Sequence, residues 1–167
     1  MDFSPDDLTM QIAEALERYK KTFYESLATI CNNVRIAAIA TSLANAEGEH
    51  LSALRRMREV QPPLNRCRQC TEEELYIAAK ESVWHIVFPD TSKVRTALSS
   101  SEIRKALDLA IAMETQSAAF YTGLAGITGP NAAVLSRLAK EKNEHLSILT
   151  EQRKWFSCKL YHVFRKR

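Results

Sequence analysis

Leu43-Ala44-Asn45-Ala46-Glu47-Gly48-Glu49-His50-Leu51-Ser52-Ala53-Leu54 decides how this chain is read, because a second stretch repeats it. Leu138-Ala139-Lys140-Glu141-Lys142-Asn143-Glu144-His145-Leu146-Ser147-Ile148-Leu149 carries Leu, Ala, Glu, His, Leu, Ser and Leu in the same register. Around the first copy, Ile36, Ile39, Leu43, Glu47, His50, Leu54 and Met57 step by three or four residues. Around the second, Val134, Leu138, His145, Leu149 and Phe156 lie on one face. That period belongs to an amphipathic helix and not to a strand. Polar residues therefore stand in the middle of apolar stripes.

The remaining helical segments match each other too. Glu17 lies six residues before Phe23-Tyr24 and Glu114 six before Phe120-Tyr121, and Phe-Tyr-x-x-Leu-Ala-x-Ile follows in both. Two helix pairs with one signature predict a duplicated hairpin and a pseudo-two-fold four-helix bundle. Composition agrees: of 167 residues 46% are hydrophobic, with only 4 Gly and 5 Pro, which favours a single all-α domain with a sizeable core.

Local signals set the expected boundaries. Helix A is expected over about 5–30, with Ser4 as N-cap, Pro5 at the first helical position and a stripe of Leu8, Ile12, Leu16, Tyr19, Phe23, Leu27 and Ile30. Glu17 sits near the border of that stripe. After a turn at Cys31-Asn32-Asn33, helix B is expected over 34–60, ended by Pro62-Pro63. A crossover over 61–100 follows, with a capping box at Thr71 and Glu74 opening a short helix that runs to about Trp84. Helix C is expected over 101–125, stopped by Gly126 and Gly129-Pro130, and helix D over 130–156.

Charge excludes some functions. Lys+Arg 23 against Asp+Glu 20 gives a formal +3, too mild to mark a nucleic-acid binder. Arg55-Arg56-Met57-Arg58 and Arg165-Lys166-Arg167 read as solvated helix ends. No apolar run spans a bilayer, and the acidic start MDFSPDDL lacks a signal-peptide pattern, so a cytoplasmic location is expected. Cys31, Cys67, Cys70 and Cys158 are then expected to be reduced. Cys67-x-x-Cys70 precedes a helix start, where a thiol pKa can fall, but one such pair is too few for a zinc site. His85, His162 and the segment Trp84-His85-Ile86-Val87-Phe88 read as packing or surface residues.

Glu47 and His50, at i and i+3, share one helix face within reach of one ion. Their stripe points inward, and a buried ionised carboxylate is costly unless it is paired or bound to metal. In the repeat His145 is the counterpart of His50, and Glu114 that of Glu17. On these residues the chain resembles the ferritin-like superfamily, and within it the rubrerythrin-like branch, over nearly its whole length. The resemblance implies metal ligands Glu17, Glu47, His50, Glu114 and His145, with Glu47 bridging two irons and Glu17 and Glu114 terminal. It implies peroxide or oxygen reduction at an iron centre fed by a separate electron donor, and a homodimer. One or two iron ions are the expected cofactor, zinc or another divalent metal the alternative.

The departures are as informative. By the repeat, the partner of Glu47 is Lys142, where the family pattern needs a second bridging Glu; an ammonium cannot bridge metals. Glu141 could reach inward but is out of register. Ile111, a turn before Glu114, supplies no extra carboxylate, and no second Cys-x-x-Cys provides a rubredoxin-like module. Three carboxylates and one Lys leave a formal charge of about −2. That predicts a site of reduced nuclearity centred on Glu17, Glu47 and His50, or a buried ion-pair network with no metal. Tyr24 and Tyr121 fall two turns after Glu17 and Glu114, in packing or hydrogen-bonding positions. Glu49 and Glu144 are expected to face solvent. Two functions follow: an iron-dependent oxidoreductase with a degraded di-metal site, or a non-enzymatic ferritin-like metal-binding, sensing or scaffold protein.

Overall fold

The computed structural model describes residues 5–60, 103–127 and 131–164, with positions 71, 73, 77, 95 and 96 between them. Among the described residues the chain forms four long helices and no strand: α1 (Pro5–Ile30), α2 (Val34–Glu59), α3 (Ile103–Ile127) and α4 (Ala132–Phe164). Pro5 opens α1 as its fixed φ allows. The expected turn spans Cys31 to Asn33, and Asn33 caps α2 by accepting from the Ile36 amide at 3.1 Å. The α3 helix runs through Gly126, where a stop was expected, and α4 extends to Phe164, beyond the expected bound of about 156. Of the crossover helix expected over 72–84 only positions 73 and 77, both helical, are described; the Ser4 cap, the Pro62-Pro63 and Gly129-Pro130 breaks, Cys67, Cys70, His85 and the side chains of Cys158 and His162 lie outside the described residues.

Two hairpins, α1 with α2 and α3 with α4, make the closest packing, and α2 also meets α4. Their apolar faces fuse into two cores. One gathers Leu16 of α1, Leu54 of α2, Phe120 and Leu124 of α3 and Leu135 and Leu138 of α4. The other gathers Phe23 and Leu27, Ile36 and Leu43, Leu107 and Met113, and Leu149 from the same four helices. The first core thus joins the N-terminal half of α1 and α4 to the C-terminal half of α2 and α3. It follows that α1 runs parallel to α4 and α2 parallel to α3. Helix α2 ends at the bundle end opposite the start of α3, so the segment between them connects opposite ends, as a crossover must.

Between the two cores lies a polar layer. Glu17, Lys20, Glu47, Glu114, Ser117 and Lys142 are each fully buried, and His50 nearly so. A layer of charge in the middle of an apolar bundle is the feature any account of function must explain.

Candidate metal centre

Each helix delivers its polar residues from the inward stripe. Glu17 and Lys20 stand one turn apart on α1, Glu47 and His50 one turn apart on α2, Glu114 and Ser117 on α3, and Lys142 and His145 on α4. The repeat is visible as a cross-brace: Tyr24 donates to Glu114 Oε1 at 2.7 Å and Tyr121 donates to Glu17 Oε1 at 2.8 Å. Each tyrosine thus orients the carboxylate of the other hairpin. Burial and the neighbouring carboxylates, led by Glu114 for Tyr24 and Glu17 for Tyr121, raise both phenols well above their usual pKa. Both therefore stay protonated donors. The His50 and His145 rings stack with centroids 5.8 Å apart.

Lysine breaks the symmetry. Lys142 Nζ donates to Glu17 Oε2 at 2.6 Å and to Glu47 Oε2, and lies 2.8 Å from His50 Nδ1. Lys20, which the sequence reading did not single out, places Nζ 3.1 Å from Glu17 Oε1, 3.3 Å from Glu47 Oε2 and 3.7 Å from Glu114 Oε2. Burial opposes its charge, but Glu114, Glu17 and Glu47 outweigh burial and raise its pKa. The signal for Lys20 was present: it stands four residues after Leu16 and four before Tyr24, on the inward face. Its repeat partner is Ser117, which turns back to the Met113 carbonyl at 2.8 Å.

The carboxylates respond to these cations. Burial raises the pKa of Glu114, yet Lys20, His145 and Lys142 pull it down to about 2. Glu47 is likewise held well below the usual carboxylate range, burial being overcome by Lys20 and Lys142. Burial and the Lys142 charge disfavour a proton on His50, while hydrogen bonds from Nδ1 to Glu17 and Glu47, at 3.2 and 3.3 Å, would raise its pKa; the shorter 2.8 Å contact between Nδ1 and the Lys142 ammonium outweighs them. A protonated Nδ1 would point its hydrogen at the Lys142 ammonium across 2.8 Å. The contact geometry fits the neutral ring, with Nδ1 accepting from Lys142 and Nε2 donating to Glu141 Oε2 at 2.5 Å. Burial acts against a charge on His145 as well, and Glu114 and Glu47 raise its pKa.

All five residues expected to bind metal lie in this layer. Glu17 is at its centre and not at a stripe border. Glu141 reaches the cluster only from the rim: its side chain is 34% exposed and also pairs with Arg137 at 3.4 Å. Glu49 and Glu144 face solvent as expected. A surface groove of about 720 Å³, lined by Lys21, Arg56 and Arg137 among others, contains none of the five and is not the centre of the chemistry.

Two sets of donors have the spacing to hold an ion: Glu17, Glu47 and His50, and Glu47, Glu114 and His145, each with one donor atom per residue within 4.8 Å of the others. They differ in their partners. The first set is the one that Lys142 contacts through all three members. In the second set, Glu47 Oε1, Glu114 Oε2 and His145 Nδ1 are buried and make no hydrogen bond, although His145 Nδ1 lies 3.6 and 3.7 Å from the two oxygens and Lys20 Nζ 3.7 Å from Glu114 Oε2. Three convergent, unpartnered donors fit a divalent ion. The layer as a whole does not fit two, because Lys142 stands among the donors of the first set, while Lys20 lies between the sets, against Glu17, Glu47 and Glu114.

No family model and no curated protein matches this chain. Among solved structures it is similar to a protein of Thermotoga maritima, described as a candidate ferritin-like diiron-carboxylate protein, at 23% identity with a TM-score of 0.67, over 92% of this chain and 95% of that one. That likeness, together with the four described helices and their pairing, shows the fold: an all-α, ferritin-like four-helix bundle.

Proposed function

We propose that this chain is a ferritin-like metal-binding protein that holds a single divalent ion through Glu47, Glu114 and His145. One observation carries the reading: the three unpartnered donor atoms of that set converge in a buried layer where an unsatisfied oxygen or nitrogen costs free energy. Iron is the ion favoured by the resemblance to di-iron carboxylate proteins; carboxylate and imidazole donors equally suit other first-row divalent metals. Bound iron would supply redox chemistry toward oxygen or peroxide, with electrons from a separate donor. The chain's own residues would do the rest. Tyr24 orients Glu114, Lys20 and Lys142 anchor Glu47 through Oε2 so that Oε1 is left for the ion, and His145 must surrender its Nδ1 proton on binding.

A second reading rests on charge. Three buried carboxylates against two buried ammonium groups leave one formal negative charge, which a protonated His145 cancels. The layer is then a metal-free ionic core that fixes the register of the bundle. Anaerobic Fe(II) titration, followed by desalting and elemental analysis, separates the two. The single-ion reading predicts one iron per chain, abolished by Glu114→Gln and by His145→Ala. Retention of none by the unmodified chain would establish the ionic core instead.

A further inference from the structure

The geometry points to the Lys142 ammonium as a built-in substitute for a second metal ion, whose removal would convert this centre from a one-ion to a two-ion site. This rests on reading the layer as an ion site, but its test is a difference between variants and stands apart from that reading.

An ammonium carries three donors and no acceptor. Lys142 Nζ has three partners: Glu17 Oε2 at 2.6 Å, Glu47 Oε2, and His50 Nδ1 at 2.8 Å. Those are the three residues of the first ion-holding set, two carboxylates and one imidazole. A cation with all its donors matched therefore sits among the ligand atoms a metal would use. Lys20 differs: it lies 3.1 to 3.7 Å from three carboxylates, and its Nζ makes no hydrogen bond. Only Lys142 saturates a donor set.

The stem explains how the ammonium gets there. By the repeat, position 142 on α4 corresponds to Glu47 on α2, one turn before the histidine in each helix. The side chain starts where a metal-bridging carboxylate would start, extends to the opposite hairpin and ends among Glu17, Glu47 and His50. Full burial of Lys142, Glu17 and Glu47 gives none of them an alternative partner in solvent. Electrostatics also couples the two halves: Glu47 gives Oε2 to Lys142 and keeps Oε1 for the second set. One carboxylate thus bridges an ammonium and an ion position, as it would bridge two ions.

The test uses Mn(II), which carboxylate and imidazole sites accept and thiolates do not favour. The intact chain, Lys142→Glu and the uncharged Lys142→Gln and Lys142→Met variants are loaded and desalted. Bound ions are then counted by native mass spectrometry, and electron paramagnetic resonance is recorded. The inference predicts that the variants bind one ion more per chain than the unmodified protein. Where two ions are present, the spectrum changes from that of isolated Mn(II) to that of an exchange-coupled pair. If Lys142→Glu does not fold, the two uncharged variants decide. Equal ion numbers in variants and parent would overturn the inference, and so would two ions in the parent. No ion in the parent and one in the variants would uphold it while refuting the single-ion function.

Discussion

Glu114 shows how much a single residue depends on its neighbours. Its carboxylate is fully buried, accepts from Tyr24 at 2.7 Å and has its pKa held at about 2, against 4.5 for the free group. Such a depressed pKa adds stability that is complete above the unfolded value and disappears as pH falls through the folded one; the size is on the order of 3 kcal/mol. Acid titration of the fold should therefore show a destabilisation between pH about 4.5 and 2 that Glu114→Gln reduces, Glu47 supplying the rest. His145 has the opposite sign. Its raised pKa gives a contribution that is complete below its ordinary value of 6.5 and fades as pH rises through the folded value. Because an ion must displace the same Nδ1 proton, metal affinity should climb over the range in which that stability fades, a trend calorimetry at several pH values would detect. Tyr24→Phe removes a buried donor and should cost about 1–3 kcal/mol in chemical denaturation, by leaving a Glu114 oxygen unsatisfied. Glu17, Glu47, His50, Glu114 and His145 were legible at this scale because they interrupt apolar stripes or repeat. Lys20 lay on the stripe too, but a lysine there reads as a long solvated side chain until the opposing carboxylates are placed around it.

At the scale of the helix, sequence and structure agree most closely where a local signal is strong. Asn33 caps α2 through a side-chain bond that polar spacing alone could suggest, and Asn33→Ala should lower stability by about 1 kcal/mol. The end of α4 was legible further than the expected 156: Phe156, Leu160 and Phe164 step by four in the sequence, and the helix continues to Phe164. The α3 helix likewise passes Gly126, where a Cβ would meet no atom within 4 Å. A glycine only permits a stop, and hydrogen bonding along the helix decides. Pairing was similarly hidden. The one-turn spacing of Glu47 and His50 places both on one face, but only the neighbouring helices show that Lys142 addresses Glu17, Glu47 and His50 while Glu47, Glu114 and His145 retain unpartnered atoms. That contrast moves the proposed ion away from Glu17 and His50, where the sequence alone had centred it.

For the whole molecule, the duplicated hairpin predicted a pseudo-two-fold bundle, and the reciprocal bonds from Tyr24 to Glu114 and from Tyr121 to Glu17 display that symmetry at its centre. Lys20 and Lys142 are where the two halves stop being equivalent, and they decide how many ions the layer can take. The two apolar cores on either side hold it in place: Leu54, fully buried in one of them, should cost about 2–5 kcal/mol when cut to Ala. Among the described residues no helix is long and apolar enough to cross a membrane. The central claim concerns the layer itself, and a crystal of the metal-loaded protein, measured at the absorption edge of the bound metal, tests it most directly. The account predicts one anomalous peak per chain, among Glu47 Oε1, Glu114 Oε2 and His145 Nδ1. Two peaks, no peak, or a single peak among Glu17, Glu47 and His50 would contradict it.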